Sequence, residues 1–120
     1  MRMSEIDKGQ ALFLDDERYP PKNGYEWIIL RTFDEATNYV TRYGMPPYAS
    51  FDHDLGENSK TGYEFVKWLV EYDLDSGNTI IPSEFTYYVH SQNPVGAANI
   101  RGYLDSYLDM RGSQWKKDES

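Results

Sequence analysis

The sequence predicts an α/β sandwich: a short, mostly parallel four-stranded sheet with helices packed against it. Three observations lead there. Four short apolar runs stop abruptly at charged or polar residues, as strands of a buried sheet do. Segments with apolar residues at helical spacing follow the second, third and fourth runs. The alternation of the two kinds of segment requires crossover connections, and these join parallel strands.

The first run is Ala11-Leu12-Phe13-Leu14, ended by Asp15-Asp16-Glu17-Arg18. Tyr19 to Gly24 follows, and its two prolines and Asn-Gly forbid regular structure, so the first crossover is a loop. Trp27-Ile28-Ile29-Leu30 reads as the second strand. Asp34 is a candidate cap for a helix carrying Ala36, Tyr39, Val40 and Tyr43 on one face, and Gly44 with Pro46-Pro47 ends it. Tyr48-Ala49-Ser50-Phe51 is the third strand. Thr61 caps a second helix from Gly62 to about Tyr72, which buries Phe65, Val66, Leu69 and Val70. Asp75-Ser76-Gly77-Asn78 is a turn. Phe85 to Val89 is the fourth strand, β-branched and aromatic. Pro94 suits the first turn of a last helix, in which Ala97, Ile100, Leu104, Tyr107 and Leu108 share a face. Right-handed crossovers put helices on both faces of such a sheet.

At 120 residues the chain fits one domain, with a core over about 11–111 and polar ends, Met1–Gln10 and Gly112–Ser120, expected to fray. The absence of cysteine excludes zinc–thiolate sites, disulfides and a cysteine nucleophile. With 16% aromatics and 11 tyrosines, the core is expected to be built from aromatics more than from aliphatic chains. Trp27, Trp68, Tyr87 and Tyr88 read as core; Tyr19, Tyr25 and Tyr48, near loops, are the candidates for base stacking. The net charge of −8 argues against general coating of nucleic acid. It leaves room for phosphate chemistry in a pocket where a cation supplies the positive charge. No apolar run approaches a membrane span, and no apolar stretch follows the N-terminal charges, so the expected location is the cytoplasm.

The chemistry collects at three strand ends: Asp15-Asp16-Glu17-Arg18, Asp52-His53-Asp54 and His90-Ser91-Gln92-Asn93. In open α/β sheets ligands bind just outside such ends. Carboxylates brought together there repel unless one is protonated or a cation lies between them. A hard divalent ion such as Mg²⁺, with Mn²⁺ the alternative, meets that need with oxygen ligands. The competing reading is three solvated loop ends. His53 is either a packed histidine or an acid–base group, and His90 is equally open. Ser91, Asn93 and Gly96 lead into a helix N-terminus, a natural phosphate seat that Ser91 or Asn93 can also simply cap. Arg18 offers a bidentate contact to phosphate, or a surface ion pair with Glu17 or Asp34.

These residues resemble known proteins. Leu12-Phe13-Leu14-Asp15-Asp16-Glu17 resembles the acidic-pocket strand of response-regulator receiver domains, and Asp54 followed eight residues later by Gly62 resembles the phospho-acceptor segment. Leu14 to Arg18, Phe51-Asp52-His53-Asp54-Leu55-Gly56 and His90 to Gly96 are together similar to the cyclic-phosphate processing receiver-like family, over about residues 11–111. The resemblance implies a receiver/flavodoxin-like three-layer sandwich with its first helix reduced to a loop. It implies a metal-dependent site acting on a cyclic phosphate of a nucleotide, an RNA end or an ADP-ribose derivative, in RNA-repair settings. No fifth strand with a pocket lysine follows the fourth, which argues against phosphorelay signalling.

The resulting expectation is a divalent-metal-dependent phosphoesterase. Asp15, Asp16 and Asp54 hold the ion, with Asp52 as an alternative ligand. Asp52 or His53 takes the proton of the nucleophile and His90 protonates the leaving oxygen; in a variant Asp54 is itself the nucleophile. Arg18, Ser91, Asn93 and Gly96 hold the phosphate. The rival expectations are a receiver-like module that accepts phosphate or senses a ligand without hydrolysing it, and a protein-interaction domain with an inert pocket.

Overall fold

The computed structural model describes residues 9–56 and 60–111. Of the polar ends expected to fray, 1–8 and 112–120 lie outside the described residues, whereas Gln10 is the first residue of a strand and pairs with Glu26. In chain order the elements are β1 (Gln10–Leu14), β2 (Glu26–Leu30), α1 (Phe33–Tyr43), β3 (Tyr48–Phe51), α2 (Gly62–Asp75), β4 (Thr86–Val89) and α3 (Pro94–Arg111). The four strands form one parallel sheet in the order β2-β1-β3-β4. This is the receiver/flavodoxin-like arrangement, with a loop in place of the first crossover helix.

The register fixes where the strands end. Leu14 pairs with Leu30 on one side and Phe51 on the other, and Phe51 pairs with Val89. The ladder continues one residue further: Asp15 N–H donates to Leu30 C=O (3.1 Å), Asp52 N–H to Leu14 C=O (2.9 Å) and His90 N–H to Phe51 C=O (2.9 Å). Asp15, Asp52 and His90 therefore leave three adjacent strands at one level.

Side chains alternate across the sheet. Leu12, Leu14, Ile28, Leu30, Ala49, Phe51, Tyr87 and Val89 face a core closed by Ala36 and Val40 of α1, Phe65, Val66, Leu69 and Val70 of α2, and Ile100, Leu104 and Leu108 of α3. The helix faces expected from spacing are the buried ones, except that Tyr43 at the end of α1 is exposed. Caps fix the helix starts. Thr61 and Glu64 form a reciprocal capping box on α2 (3.1 and 2.8 Å). Asn93 Oδ1 accepts the Gly96 N–H at the start of α3, 2.9 Å. For α1 the cap is Thr32, whose hydroxyl accepts the Glu35 N–H; Asp34, the expected cap, lies in the first turn.

Two expectations are corrected. Among the described residues the three helices share one sheet face, so the layer expected on the other side is not made by them. The β1–β2 connection is the loop 15–25, and no described helix follows β4 other than α3. Trp27 and Tyr88, expected in the core, belong instead to that helix-free face with Phe13, Tyr48 and Ser50. Trp27 is half-buried and Tyr88 exposed.

Candidate functional site

Asp15 is fully buried at the end of β1. Its Oδ1 accepts the N–H groups of Glu17 and Arg18, both at 2.9 Å, in a turn the Asp15 side chain itself closes. Its Oδ2 meets His90 Nε2 at 2.9 Å. Burial opposes the charge of Asp15, but the two N–H donors and His90 outweigh it and hold the carboxyl below its ordinary value.

His90 is fixed on every side. Its Nδ1 lies 2.7 Å from the Ser50 hydroxyl, and its ring stacks on Phe13 with centroids 4.7 Å apart and planes within 2°. An ionised Asp15 can only accept, so the neutral imidazole carries its proton on Nε2 and takes the Ser50 hydroxyl proton at Nδ1. Ser50 was not legible as a site residue; its only signal is a hydroxyl inside an apolar strand.

Asp52 follows β3 and is also buried. Its Oδ1 accepts the His53 N–H (2.8 Å), and Ser91 gives it a side-chain hydrogen bond. Here burial and the neighbouring Asp15 charge prevail, and the carboxyl is pushed up from its ordinary value. Asp15, Asp52 and His90 each offer a ligand atom within 4.8 Å of the others.

Asp16 and Asp54 stand outside that trio and line the cleft that opens from it, together with Glu17, Arg18, Asp52, Gly56, Gln92 and Asn93; its volume is about 620 Å³. Asp54 is 65% exposed, with Oδ1 held 2.9 Å from His53 Nδ1. The acidic residue beside Asp15 is thus Asp52. Gly62, expected eight residues beyond the key acid, also serves Asp52: a Cβ on Gly62 would lie 1.9 Å from the Asp52 carbonyl oxygen, and the Gly62 N–H donates to His53 C=O at 2.7 Å. The start of α2 rests directly on the β3 exit.

The expected phosphate group divides. Arg18 reaches the site, with one guanidinium nitrogen 3.3 Å from the His90 carbonyl oxygen. Asn93 lines the cleft while capping α3, and Ser91 Oγ accepts the Asn93 N–H at 3.0 Å. Gly96 answers a packing need: its N–H is taken by Asn93, and a Cβ there would lie 2.4 Å from the His53 ring. Arg31, which the sequence did not single out, donates to the Asp15 carbonyl oxygen (3.0 Å) and to the Arg18 carbonyl oxygen, and lies over the Tyr19 ring.

The residues fit a divalent cation on one physical ground. Two buried carboxylates face each other, and the acidity of one is already weakened by the charge of the other. Oxygen donors of this kind suit a hard ion.

Residues 10–106 match the family described as the cyclic-phosphate processing receiver domain. No curated protein matches the chain in sequence. A solved fusion carrying the yeast Spc42 trimeric coiled coil is similar in structure, with a TM-score of 0.54, 16% identity, and coverage of 88% of this chain and 79% of that one; this likeness shows the fold alone. None of the described helices is long and apolar enough to cross a membrane. With its parallel sheet, its strand-end acids and a family match over most of its length, the chain belongs to the cyclic-phosphate processing receiver domains.

Proposed function

We propose that the chain is a divalent-metal-dependent phosphoesterase that opens a cyclic phosphate on a nucleotide, an RNA end or an ADP-ribose derivative. The observation that carries this reading is the Asp15–Asp52 pair, buried side by side at adjacent strand ends with its charge unbalanced. Asp15 and Asp52 would hold the ion, Mg²⁺ or Mn²⁺, and Asp16 and Asp54 line the cleft beside that pair. When bound, the ion supplies charge stabilisation at the phosphoryl oxygens and a more acidic water.

The protein's own residues do the rest. Ring opening adds water across one ester P–O bond, leaving a phosphomonoester and a free hydroxyl. Asp54, exposed in the cleft and tethered by His53, takes the proton of the attacking water, and the leaving ester oxygen takes its proton from solvent. Arg18 and Asn93 take the non-bridging oxygens. His90 orients Asp15, because Asp15 and Ser50 already engage both of its ring nitrogens. This reading gives His90 a positioning role in place of the leaving-group acid expected from the sequence.

The test is hydrolysis of a panel of nucleoside 2′,3′-cyclic phosphates and ADP-ribose cyclic phosphates with Mg²⁺ or Mn²⁺. Turnover should fall by about 100-fold or more in Asp52→Asn. No turnover by pure protein on any member, or turnover indifferent to Asp52→Asn, defeats the proposal.

A further inference from the structure

The sheet face opposite the three described helices carries a second cavity, of about 420 Å³, whose floor is Phe13, Trp27, Tyr48 and Tyr88. Its rings are pre-packed. Trp27 meets Phe13 edge-on at 5.6 Å and lies 5.9 Å from Tyr48, which stacks on Tyr25 at 4.8 Å. Tyr88 is 58% exposed beside them. A floor of rings held by one another costs little further ordering when a planar ligand arrives. Its volume lies in the range of small-molecule pockets.

The cavity adjoins the acidic cleft. Arg18 lines both, and His90, hydrogen-bonded to Asp15, forms part of the aromatic wall. Charge distinguishes the occupant. In a chain of net charge −8, the one charged side chain lining this cavity is a cation, the Arg18 guanidinium. An apolar protein segment has no use for a guanidinium in the wall. A ligand with a flat ring at one end and an anionic phosphate at the other uses both.

We propose that this groove is the nucleobase subsite of the phosphoesterase. The base of a mononucleotide stacks over Trp27 and Tyr88, and the ribose cyclic phosphate passes Arg18 into the acidic cleft. The inference rests on the function proposed above and names its substrate class: nucleoside cyclic phosphates in preference to base-free ribose phosphates. Asn23 and Ser50, at the wall, are the polar groups available to the base edge.

Binding is read without metal, so that it does not depend on turnover. Adenosine 2′,3′-cyclic phosphate, adenosine and inorganic phosphate are titrated separately into the full ¹⁵N-labelled chain. Both nucleosides should move the amides of Phe13, Trp27, Tyr48 and Tyr88, whereas phosphate moves only the cleft. Tyr88→Ala, at an exposed position that does not threaten folding, should weaken nucleotide binding about 5- to 150-fold, and Tyr88→Phe should restore it. Three results overturn the inference: adenosine shifts absent from the groove; ring contacts from Trp27 and Tyr88 to this chain's own residues 112–120 that the nucleotide does not displace; or a dimer in sedimentation that Tyr88→Asp dissociates. The two proposals fail separately. Groove shifts without hydrolysis sink the esterase alone, and hydrolysis with unchanged nucleotide affinity in Tyr88→Ala sinks the groove alone.

Discussion

Asp15 and Asp52 stand one residue past the ends of two paired strands, both buried, and their acidities are driven in opposite directions. The cause is local. Asp15 receives two backbone N–H groups and His90, whereas Asp52 faces the charge of Asp15 after losing its own solvent. The pair is a repulsion that the fold tolerates for a reason other than stability.

Removing that repulsion should stabilise the metal-free protein. Asp52→Asn keeps an oxygen for the His53 N–H and loses the charge. We expect a gain of about 0.5–2 kcal/mol in urea unfolding at neutral pH. In the wild type, Mg²⁺ or Mn²⁺ at 100 times its Kd should add about 2.7 kcal/mol. The variant should lose most of that increment. A less stable Asp52→Asn, or an equal metal response in both proteins, contradicts the account of the pair.

Ser50 and Asp15 together set the His90 tautomer. Long-range ¹H–¹⁵N spectra should show the proton of the neutral His90 imidazole on Nε2. Ser50→Ala removes the donor to Nδ1, inside the protein, and should cost about 1–3 kcal/mol. A proton found on Nδ1 of neutral His90 would reverse the donor assignment and with it the positioning role.

Two glycines are close-approach positions of different severity. A methyl at Gly96 meets the His53 ring, the end of a side chain that can give way; a methyl at Gly62 meets the Asp52 backbone carbonyl. Gly96→Ala should cost about 1–3 kcal/mol, within the usual span for overpacking, and Gly62→Ala more than that. Equal losses by calorimetry would show that α2 is not seated on the β3 exit as described.

Asp73, at the far end of α2, should govern stability at both pH extremes. Its buried carboxylate accepts the Ile80 and Ile81 N–H groups (3.0 and 2.9 Å), the Asn78 amide (3.1 Å), the Tyr107 hydroxyl (2.5 Å) and Arg111 (3.0 Å). Burial opposes its charge, but these donors hold its carboxyl below the ordinary 3.8. A depressed acid contributes stability that is present above its unfolded pKa and lost as pH falls through the folded one, so the loss runs downward from about pH 4. Tyr107, by burial and its bond to Asp73, is pushed up to about 12. Its contribution is present below pH 10 and lost as pH rises toward 12. Tyr107→Phe should lessen the alkaline loss, to which the raised Tyr39, Tyr48, Tyr87 and Tyr103 also contribute, and shrink the acid one by removing a donor to Asp73; Asp73→Ala should cost about 3–5 kcal/mol by stranding Arg111. Unfolding free energy measured from pH 2 to 12 checks both arms.

Much of this fold is written locally. The runs ending at Leu14, Leu30, Phe51 and Val89 are strands because short apolar stretches, stopped by polar residues and joined by crossovers, pair in parallel. Helical spacing marked Phe65, Val66, Leu69 and Val70, and Ile100, Leu104 and Leu108, as buried. Thr61 was legible as the cap of its helix, and the structure adds Glu64 as its reciprocal partner. Local pattern also placed Asp15, Asp52 and His90 at strand ends, which is where chemistry on such a sheet is found.

Pattern could not choose between Asp52 and Asp54, two residues apart on the same exit. That choice depends on where β3 stops and on the close seating of Gly62 against it, a contact between elements. Nor could it show which face a ring would meet. Trp27 and Tyr88 have the periodicity of core residues, and only the packing of all three described helices on the opposite face leaves them at the surface. The sequence by itself determined the elements, their order and the acids at their ends, because those follow from the chain's immediate neighbours. The tertiary structure alone decided which acids meet, how His90 is held and which sheet face the described helices cover, because those depend on strand register and packing between segments far apart in the chain.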